Sequence, residues 1–233
     1  MKKYPVLLFL IAFLFIFADC KKRQCEDEEE LPPPIHKITA TVEGVVPIGI
    51  DSVIATIPAP NESLSRIAKA PFKNSKFTIE LPLTVNSQLL MPVSAVFPST
   101  CTFSNPDAKT TLVSFLAKQG NDFKGSFIQS NKPLSLSSFK EPDLYIAFYI
   151  YSDKDVTITG TTKINIPDIP IPISVVFNCN FTKGWNYFVI NSNLIIINIS
   201  NSLPDGIKWY YTDFDFFESI FSFIGFDAVF GQS

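Results

Sequence analysis

Hydrophobic and polar side chains alternate along much of the chain from residue 36 onward. The segment HKITATVEG places Ile38, Ala40 and Val42 on one face and polar side chains on the other. A period of two predicts a strand with one buried face. KFTIELP repeats the pattern, with Phe77 and Ile79 facing inward.

Longer apolar runs separated by turn signals continue this pattern. DSVIATI, LLMPVSAVF, TTLVSFLAK, FKGSFIQ, DLYIAFYIYSD, DVTITGTTKINI, IPISVVFNCNF, WNYFVINS, LIIINIS and IKWYYTD are all strand candidates, about ten to twelve in total with the two above. Gly, Pro, Asn and Asp cluster between them, as in LPDG before IKWYYTD. This spacing predicts an all-β fold, an antiparallel β-sandwich over residues 35–233.

The C-terminal segment FDFFESIFSFIGFDAVF is rich in phenylalanine and carries no regular alternation. As a helix it would be apolar on every side, and such a helix is either buried or in contact with something else. The pattern leaves helix and strand open for this segment.

The first thirty residues have a different character. Lys2 and Lys3 precede fourteen uncharged residues, PVLLFLIAFLFIFA. This run is short for a membrane span and typical of a signal-peptide core. It ends at Cys20 and resembles a bacterial lipobox, with Phe17 and Asp19 where the lipobox usually has Leu or Val and a small residue. We expect residues 1–19 to be a signal peptide and Cys20 to carry lipid, with an ordinary signal peptide or an uncleaved anchor as the alternatives.

Residues 20–34 read as a charged, proline-rich tether. The run Pro32-Pro33-Pro34 favours an extended polyproline conformation, and the segment reaches roughly 45 Å at about 3.3 Å per residue. Its acidic block resembles the surface-export signal of Bacteroidota lipoproteins, or else is a solvated spacer. The residues of this block are Glu26, Asp27, Glu28, Glu29 and Glu30.

Composition narrows the function classes. The 19 Lys and Arg residues are outnumbered by 22 Asp and Glu residues, and no basic patch occurs, which argues against nucleic acid as a partner. The single histidine, His36, adjoins the tether, and no nucleophile elbow, zinc-protease helix or phosphate loop is present. We therefore predict no catalytic residues, no metal site and no cofactor.

Two cysteines of the body lie in similar strand-like contexts. Cys101 lies in FPSTCTF and Cys179 in VVFNCNF. In an oxidising compartment they can form a disulfide, and two buried free thiols are the equal alternative.

An aromatic cluster, KWYYTDFDFF, stands near the C-terminus. Trp209, Tyr210 and Tyr211 are candidates for ligand contact because indole and phenol rings stack on sugar rings. The alternative is that alternate residues of a strand fill the core.

With the strands laid out, the body resembles small Bacteroidota lipoproteins that have no assigned biochemical role. The resemblance spans about residues 36–190 and rests on ITATVEG, IDSVIATI, NSKFTIELP, TFSNPDAKT, YIYSDKDVTITG and FTKGWNYF in this order. It implies a secreted β-sandwich anchored by lipid, and no activity.

These observations together predict a non-enzymatic lipoprotein of the outer membrane, exposed on the cell surface. Its expected partners are the membrane, through the lipid, and an extracellular glycan or protein. The alternative is a structural or assembly subunit, an adhesin or fimbrial accessory, that docks through its apolar C-terminal segment. An exposed aromatic row would favour glycan binding, whereas an unpaired strand edge would favour assembly with a protein.

Overall fold

The prediction of an all-β fold is confirmed. A computed structural model describes residues 36–59, 64–135, 138, 141–165, 171–193 and 195–213. These residues contain a 3₁₀ turn, Ser87–Leu89, and one turn of α-helix, Val93–Val96; the rest of the regular structure is strand. The strands are β1 His36–Glu43, β2 Ser52–Pro58, β3 Leu64–Pro71, β4 Lys76–Leu81, β5 Met91–Pro92, β6 Cys101–Phe103, β7 Lys109–Gln119, β8 Asp122–Ser130, β9 Leu144–Ser152, β10 Val156–Ile164, β11 Ile173–Phe181, β12 Gly184–Asn193, β13 Ile196–Ser200 and β14 Lys208–Thr212.

The described strands join in one mixed sheet. Its main path runs β4-β1-β14-β8-β7-β9-β12-β13-β11-β10-β6, while β2 and β5 pair with β7, and β3 pairs with β2. Most neighbouring strands are antiparallel, as the alternation pattern indicated. Two pairs are parallel, β1 with β14 and β11 with β13, so the sheet is not purely antiparallel.

The long strand β7 is the point at which the sheet divides. Its residues 110–113 pair with β9, whereas its residues 115–119 pair with β8. Along its other edge it pairs with β5 and then with β2. Strand β7 contributes to two hydrophobic cores, with Leu112 in one and Val113, Phe115 and Ala117 in the other.

The first core lies between β9 to β13 and the helical turn. Phe181 and Phe188 are fully buried in it, and Phe97, just after the helical turn, packs on both rings at 6.4 and 6.2 Å between centroids. Alternate residues of β10 and β11 face this core.

The second core is enclosed by β1, β2, β4, β8 and β14. Ile38, Ala40 and Val42 of β1 and Phe77 and Ile79 of β4 are buried in it, on the face that the sequence predicted. Each core removes a large apolar area from water, and this burial is the main free-energy term that favours folding.

One strand prediction is wrong in detail. LLMPVSAVF forms only the two-residue strand β5 and the helical turn Val93–Val96. Pro92 precedes this turn, where its missing N–H costs no helical hydrogen bond, and the i, i+3 spacing of Val93 and Val96 lets both side chains reach the first core.

The chain divides into two units, residues 1–33 and residues 34–233. All described residues belong to the second unit, which contains both hydrophobic cores. The predicted signal peptide, the tether and the Phe-rich segment from residue 214 onward lie outside the described residues.

Candidate binding groove

Strand β1 separates from β14 after a short contact and opens a groove. It pairs with β4 from His36 to Thr41 but with β14 only at Val42 and Glu43. Toward the His36 end the two strands part, leaving an open groove of ≈ 480 Å³. Its walls are β1 on one side and residues 203–209 on the other, and Gln129, Tyr149 and Tyr187 lie at its inner end.

The β1 wall of the groove is an unpaired strand edge. The Val42 N–H donates to the Ser75 carbonyl at 2.7 Å, so the main-chain groups of Val42 point toward β4. Successive residues of a strand point their N–H and C=O groups to opposite sides, so those of Lys37 and Thr39 point away from β4 and into the groove. No described strand pairs with β1 at these positions.

The inner end of the groove is a cluster of polar tips on aromatic rings. The hydroxyls of Tyr149 and Tyr187 lie 3.1 Å apart, and Gln129 Nε2 donates to the Tyr149 hydroxyl at 3.5 Å. Burial, together with the hydrogen bond to Tyr187, raises the pKa of Tyr149 far above its usual value of about 10. Tyr149 therefore stays neutral, and its hydroxyl is engaged by Gln129 and Tyr187.

Two lysines lie on the outer rim. Lys37 Nζ is 3.6 Å from Glu80, and Lys208 Nζ is 3.6 Å from Glu43. Both pairs are solvent-exposed, and exposed pairs of this kind contribute about 0–1 kcal/mol each. Either lysine can therefore exchange its partner for a ligand group at little cost.

His36 lies beside the cluster of hydroxyls. Its ring makes an edge-to-face contact with Tyr149, with 5.6 Å between the ring centroids. Partial burial lowers the pKa of His36 below its usual value of about 6.5, so its ring is mainly neutral at pH 7.

The predicted aromatic site is mostly core. Trp209 is 8% exposed and packs edge-to-face on Phe77 and Phe115, each with 5.2 Å between centroids. The Tyr211 hydroxyl donates to the Lys124 carbonyl, and its ring packs on Phe127. Tyr210 points to the opposite face of β14 and is half-buried. The structure therefore favours the alternative that this strand fills the core, with a small part of Trp209 lining the groove.

Of the two alternatives for the body cysteines, the structure shows two free thiols and not the disulfide. Cys101 and Cys179 are both buried and unpaired. Strand β10 runs between β6, which carries Cys101, and β11, which carries Cys179. Two strand spacings separate the backbones by about 10 Å, beyond the limit of about 7 Å for a disulfide. Burial raises the pKa of Cys179 to about 12, so this thiol stays protonated and unreactive.

Other predicted site residues lie outside the described residues. These are the lipidation candidate Cys20 and the acidic block Glu26, Asp27, Glu28, Glu29 and Glu30. Within the described ranges, no group of three or more His, Cys, Asp or Glu side chains is arranged to hold a metal ion. Over the same ranges, no helix is long and apolar enough to span a membrane.

Apart from Trp209, the groove residues were not predicted from the sequence. Tyr149 and Tyr187 look like ordinary members of buried strands, and their hydroxyls are the only local signal of a polar environment. The separation of β1 from β14 depends on strands at opposite ends of the body, and no local pattern reports it.

Comparison with known proteins found no match: no family model fits the sequence, and neither a curated protein nor a solved structure matches the chain.

Proposed function

We propose that this protein is a surface-anchored, non-enzymatic lipoprotein that binds a protein partner by adding a strand of that partner to β1. The observation that carries the proposal is the unpaired β1 edge at Lys37 and Thr39, which faces an open groove. An extended peptide that enters such a gap gains main-chain hydrogen bonds for affinity and side-chain contacts for specificity.

Two outer strands of the sheet, β3 and β4, are less suited to this role. Strand β3 carries Arg66, Lys69 and Pro71, and β4 carries Lys76 and Glu80. Charged residues and proline on an edge strand oppose pairing with another chain. Strand β1 also carries charged residues, Lys37 and Glu43, but its edge lies inside a groove, where an incoming segment is enclosed on two sides.

Glycan binding is the second candidate. The hydroxyls of Tyr149 and Tyr187 and the amide of Gln129 offer the donors and acceptors that sugar hydroxyls require. The aromatic platform that favoured this candidate is weakened by the burial of Trp209. The sequence-based alternative of an assembly subunit also requires a protein partner, but it docks through the apolar C-terminal segment, which lies outside the described residues.

The test uses residues 34–233, which form a compact unit with both cores. A display library of extended peptides and a glycan array are screened with this unit, and binders are measured again with Thr39→Pro. Proline removes the N–H that points into the groove and leaves the pairing with β4 intact, because that N–H does not point toward β4. Thr39→Val, which keeps the N–H and the branched side chain, is the matched control.

Strand addition predicts peptide binders that bind wild type and Thr39→Val equally and lose affinity for Thr39→Pro. Circular dichroism and the melting temperature establish that each variant is folded. A second probe does not depend on the variant. Every second main-chain nitrogen of the peptide ligand is methylated, in two peptides that differ in which set of nitrogens is changed. Methylation of the set that faces β1 should abolish binding, and methylation of the other set should leave it unchanged. Binders found only on the glycan array, with equal affinity for all three proteins, would overturn the proposal.

Anchoring is proposed from the sequence. The apolar run before Cys20 and the charged segment after it support a lipid anchor, and the acidic block at residues 26–30 supports export to the outer face of the outer membrane. The likeness to Bacteroidota lipoproteins supports the same location and a sandwich-like body.

Cys20→Ala should move the protein out of the membrane fraction or leave the signal uncut. Alanine at residues 26–30 should keep the lipid and abolish labelling by antibody on intact cells, and unchanged labelling would identify these acids as a spacer.

A further inference from the structure

One row of side chains crosses four neighbouring strands of the sheet, β2, β7, β8 and β14. The strand registers place Ile54 opposite Leu116, and Leu116 opposite Ser126. Thr212 lies opposite Ser126 and completes the row. Side chains directly opposite one another in a sheet share a face, so these four lie in line. We call them the outer row.

The outer row points away from the second core. Val53 and Ala55, on either side of Ile54 in β2, are buried in that core, and so are the two residues on either side of Leu116 in β7. Successive side chains of a strand point to opposite faces. Ile54 and Leu116 therefore lie on the outer face of the sheet that encloses the second core.

The outer row is excluded from solvent even though it faces outward. The exposed fraction is 4% for Ile54, 3% for Leu116, 0% for Ser126 and 6% for Thr212. Among the described residues, Ile54 and Leu116 belong to neither of the two core clusters. An outer face with nothing above it would be solvated. A further layer of chain therefore covers the row.

The described connections between strands pack elsewhere. Val93 and Val96 of the helical turn pack in the first core, and Leu134 of the β8–β9 connection packs against it. Val46 of the β1–β2 loop and Leu89 of the 3₁₀ turn pack against the second core. These contacts favour a cover from another part of the chain.

The outer row begins where the last described strand ends. Thr212 is the final residue of β14, and the chain continues through Asp213 into the Phe-rich segment, residues 214–233. The row spans three strand spacings, about 14 Å. Even at the helical rise of 1.5 Å per residue this segment would reach about 30 Å, so it is long enough to cover the whole row.

The chemistry of the Phe-rich segment matches the outer row. The segment contains seven phenylalanines and no lysine or arginine. Contact with Ile54 and Leu116 would remove apolar surface of both partners from water. The Ser126 hydroxyl donates to the Phe115 carbonyl at 3.1 Å, so apolar groups can cover this serine without the loss of a hydrogen bond.

We infer that residues 214–233 lie against the outer row of their own chain and bury it. The inference is independent of strand addition at β1. It gives the Phe-rich segment an occupied site within the molecule, in place of the docking role that the assembly alternative assigns to it.

The first experiment is photo-crosslinking of residues 34–233 in which photo-leucine replaces leucine. We expect Leu116 to form crosslinks with residues 214–233, as found by sequencing the crosslinked peptides. Leu112, four residues earlier on β7, packs in the first core and is the matched control, with crosslinks expected to other residues of that core. Mixing with isotope-labelled protein distinguishes crosslinks within one chain from crosslinks between two copies.

The second experiment compares residues 34–233 with residues 34–213, which lack the Phe-rich segment. Leu116→Ala should lower the urea midpoint of the longer chain by about 1 M, because it removes a buried side chain. In the shorter chain Leu116 is already exposed, so the same substitution should lower the midpoint much less. Leu112→Ala is the control and should lower the midpoint equally in both chains.

Two results would overturn the inference. One is that Leu116 crosslinks only to other segments of the chain or to a second copy. The other is that Leu116→Ala lowers the urea midpoint equally in the two chains. If residues 34–213 do not fold, the crosslinks in the intact unit decide alone.

Discussion

Asp51 links three parts of the fold through its carboxylate and its main chain. It accepts hydrogen bonds from the Ser52 hydroxyl at 2.7 Å and the Gly120 N–H at 2.6 Å. The main chain of Asp51 also bonds to Lys118 and Phe72. One residue thereby holds the β1–β2 loop against the β7–β8 hairpin and the end of β3.

Asp51 should make stability depend on pH at acid values. The hydrogen bonds from Ser52 and Gly120 lower the pKa of Asp51 below its unfolded value of about 3.9. The stability contributed by the carboxylate is present above pH 4 and is lost as the pH falls through the lower folded pKa. Urea midpoints of wild type and Asp51→Asn should differ at pH 6 and converge near pH 2. A constant difference across this range would show that the charge of Asp51 is not involved.

Trp209 should behave as a core residue. Trp209→Ala removes a ring that packs on Phe77, Phe115 and Tyr149 and should cost about 3–5 kcal/mol of unfolding free energy. Tyr210→Ala, one residue along on the opposite face, is the matched control and should cost clearly less. Urea titration followed by circular dichroism measures both. Equally small losses of unfolding free energy in the two variants would show that Trp209 is not a core residue.

At the scale of elements, Gly160 of β10 allows the neighbouring strand β6 to approach closely. A methyl group at Gly160 would lie 2.8 Å from the Cys101 Cα and 2.9 Å from the Thr100 carbonyl oxygen. Both atoms belong to the backbone, which moves less easily than the end of a side chain. Glycine at this position therefore lets β6 pair closely with β10.

Gly160→Ala should destabilise the protein by about 1–3 kcal/mol, because β6 must move away from β10. Alanine restricts the unfolded chain and would otherwise stabilise slightly, so a net loss reports the contact with β6. Thr159→Ala, at the exposed neighbouring position, is the control and should change the urea midpoint little. Equal effects of the two variants would contradict the close approach of β6.

The elements differ in how well local sequence predicts them. Alternation in β1 and β4 is a local property, and the structure confirms the predicted buried face of each. Strand β3 was missed because Arg66, Lys69 and Pro71 suppress its apolar signal. The groove was missed because its walls, β1 and β14, are far apart in the sequence, and no local pattern shows how they pair.

At the scale of the whole molecule, the two cores are not independent. Leu112 and Val113 are adjacent on β7 and enter different cores, and so do Phe127 and Ile128 on β8. If β7 or β8 loses its packing in one core, its pairing and its packing in the other core are disrupted as well. The body should therefore unfold in one cooperative step.

Fluorescence can test this cooperativity, because both tryptophans report on the second core: Trp209 lies in it and Trp185 packs against it. Ile158→Ala in the first core should cost about 2–5 kcal/mol and shift the fluorescence midpoint as far as the circular dichroism midpoint. Ile57→Ala in the second core is the matched control and should shift both probes as well. A fluorescence midpoint unmoved by Ile158→Ala would show two independently folding halves.

The parallel pairing of β1 with β14 has a consequence for the order in which the protein is made. Val42 of the first described strand pairs with Trp209 of the last, and Trp209 also completes the packing of the second core. A chain that emerges from its N-terminus cannot close this core until residues 208–212 are released. Contacts so distant in sequence form slowly. Under the proposed lipoprotein function, which requires export across a membrane, the second core would stay open until the last described strand, β14, has emerged.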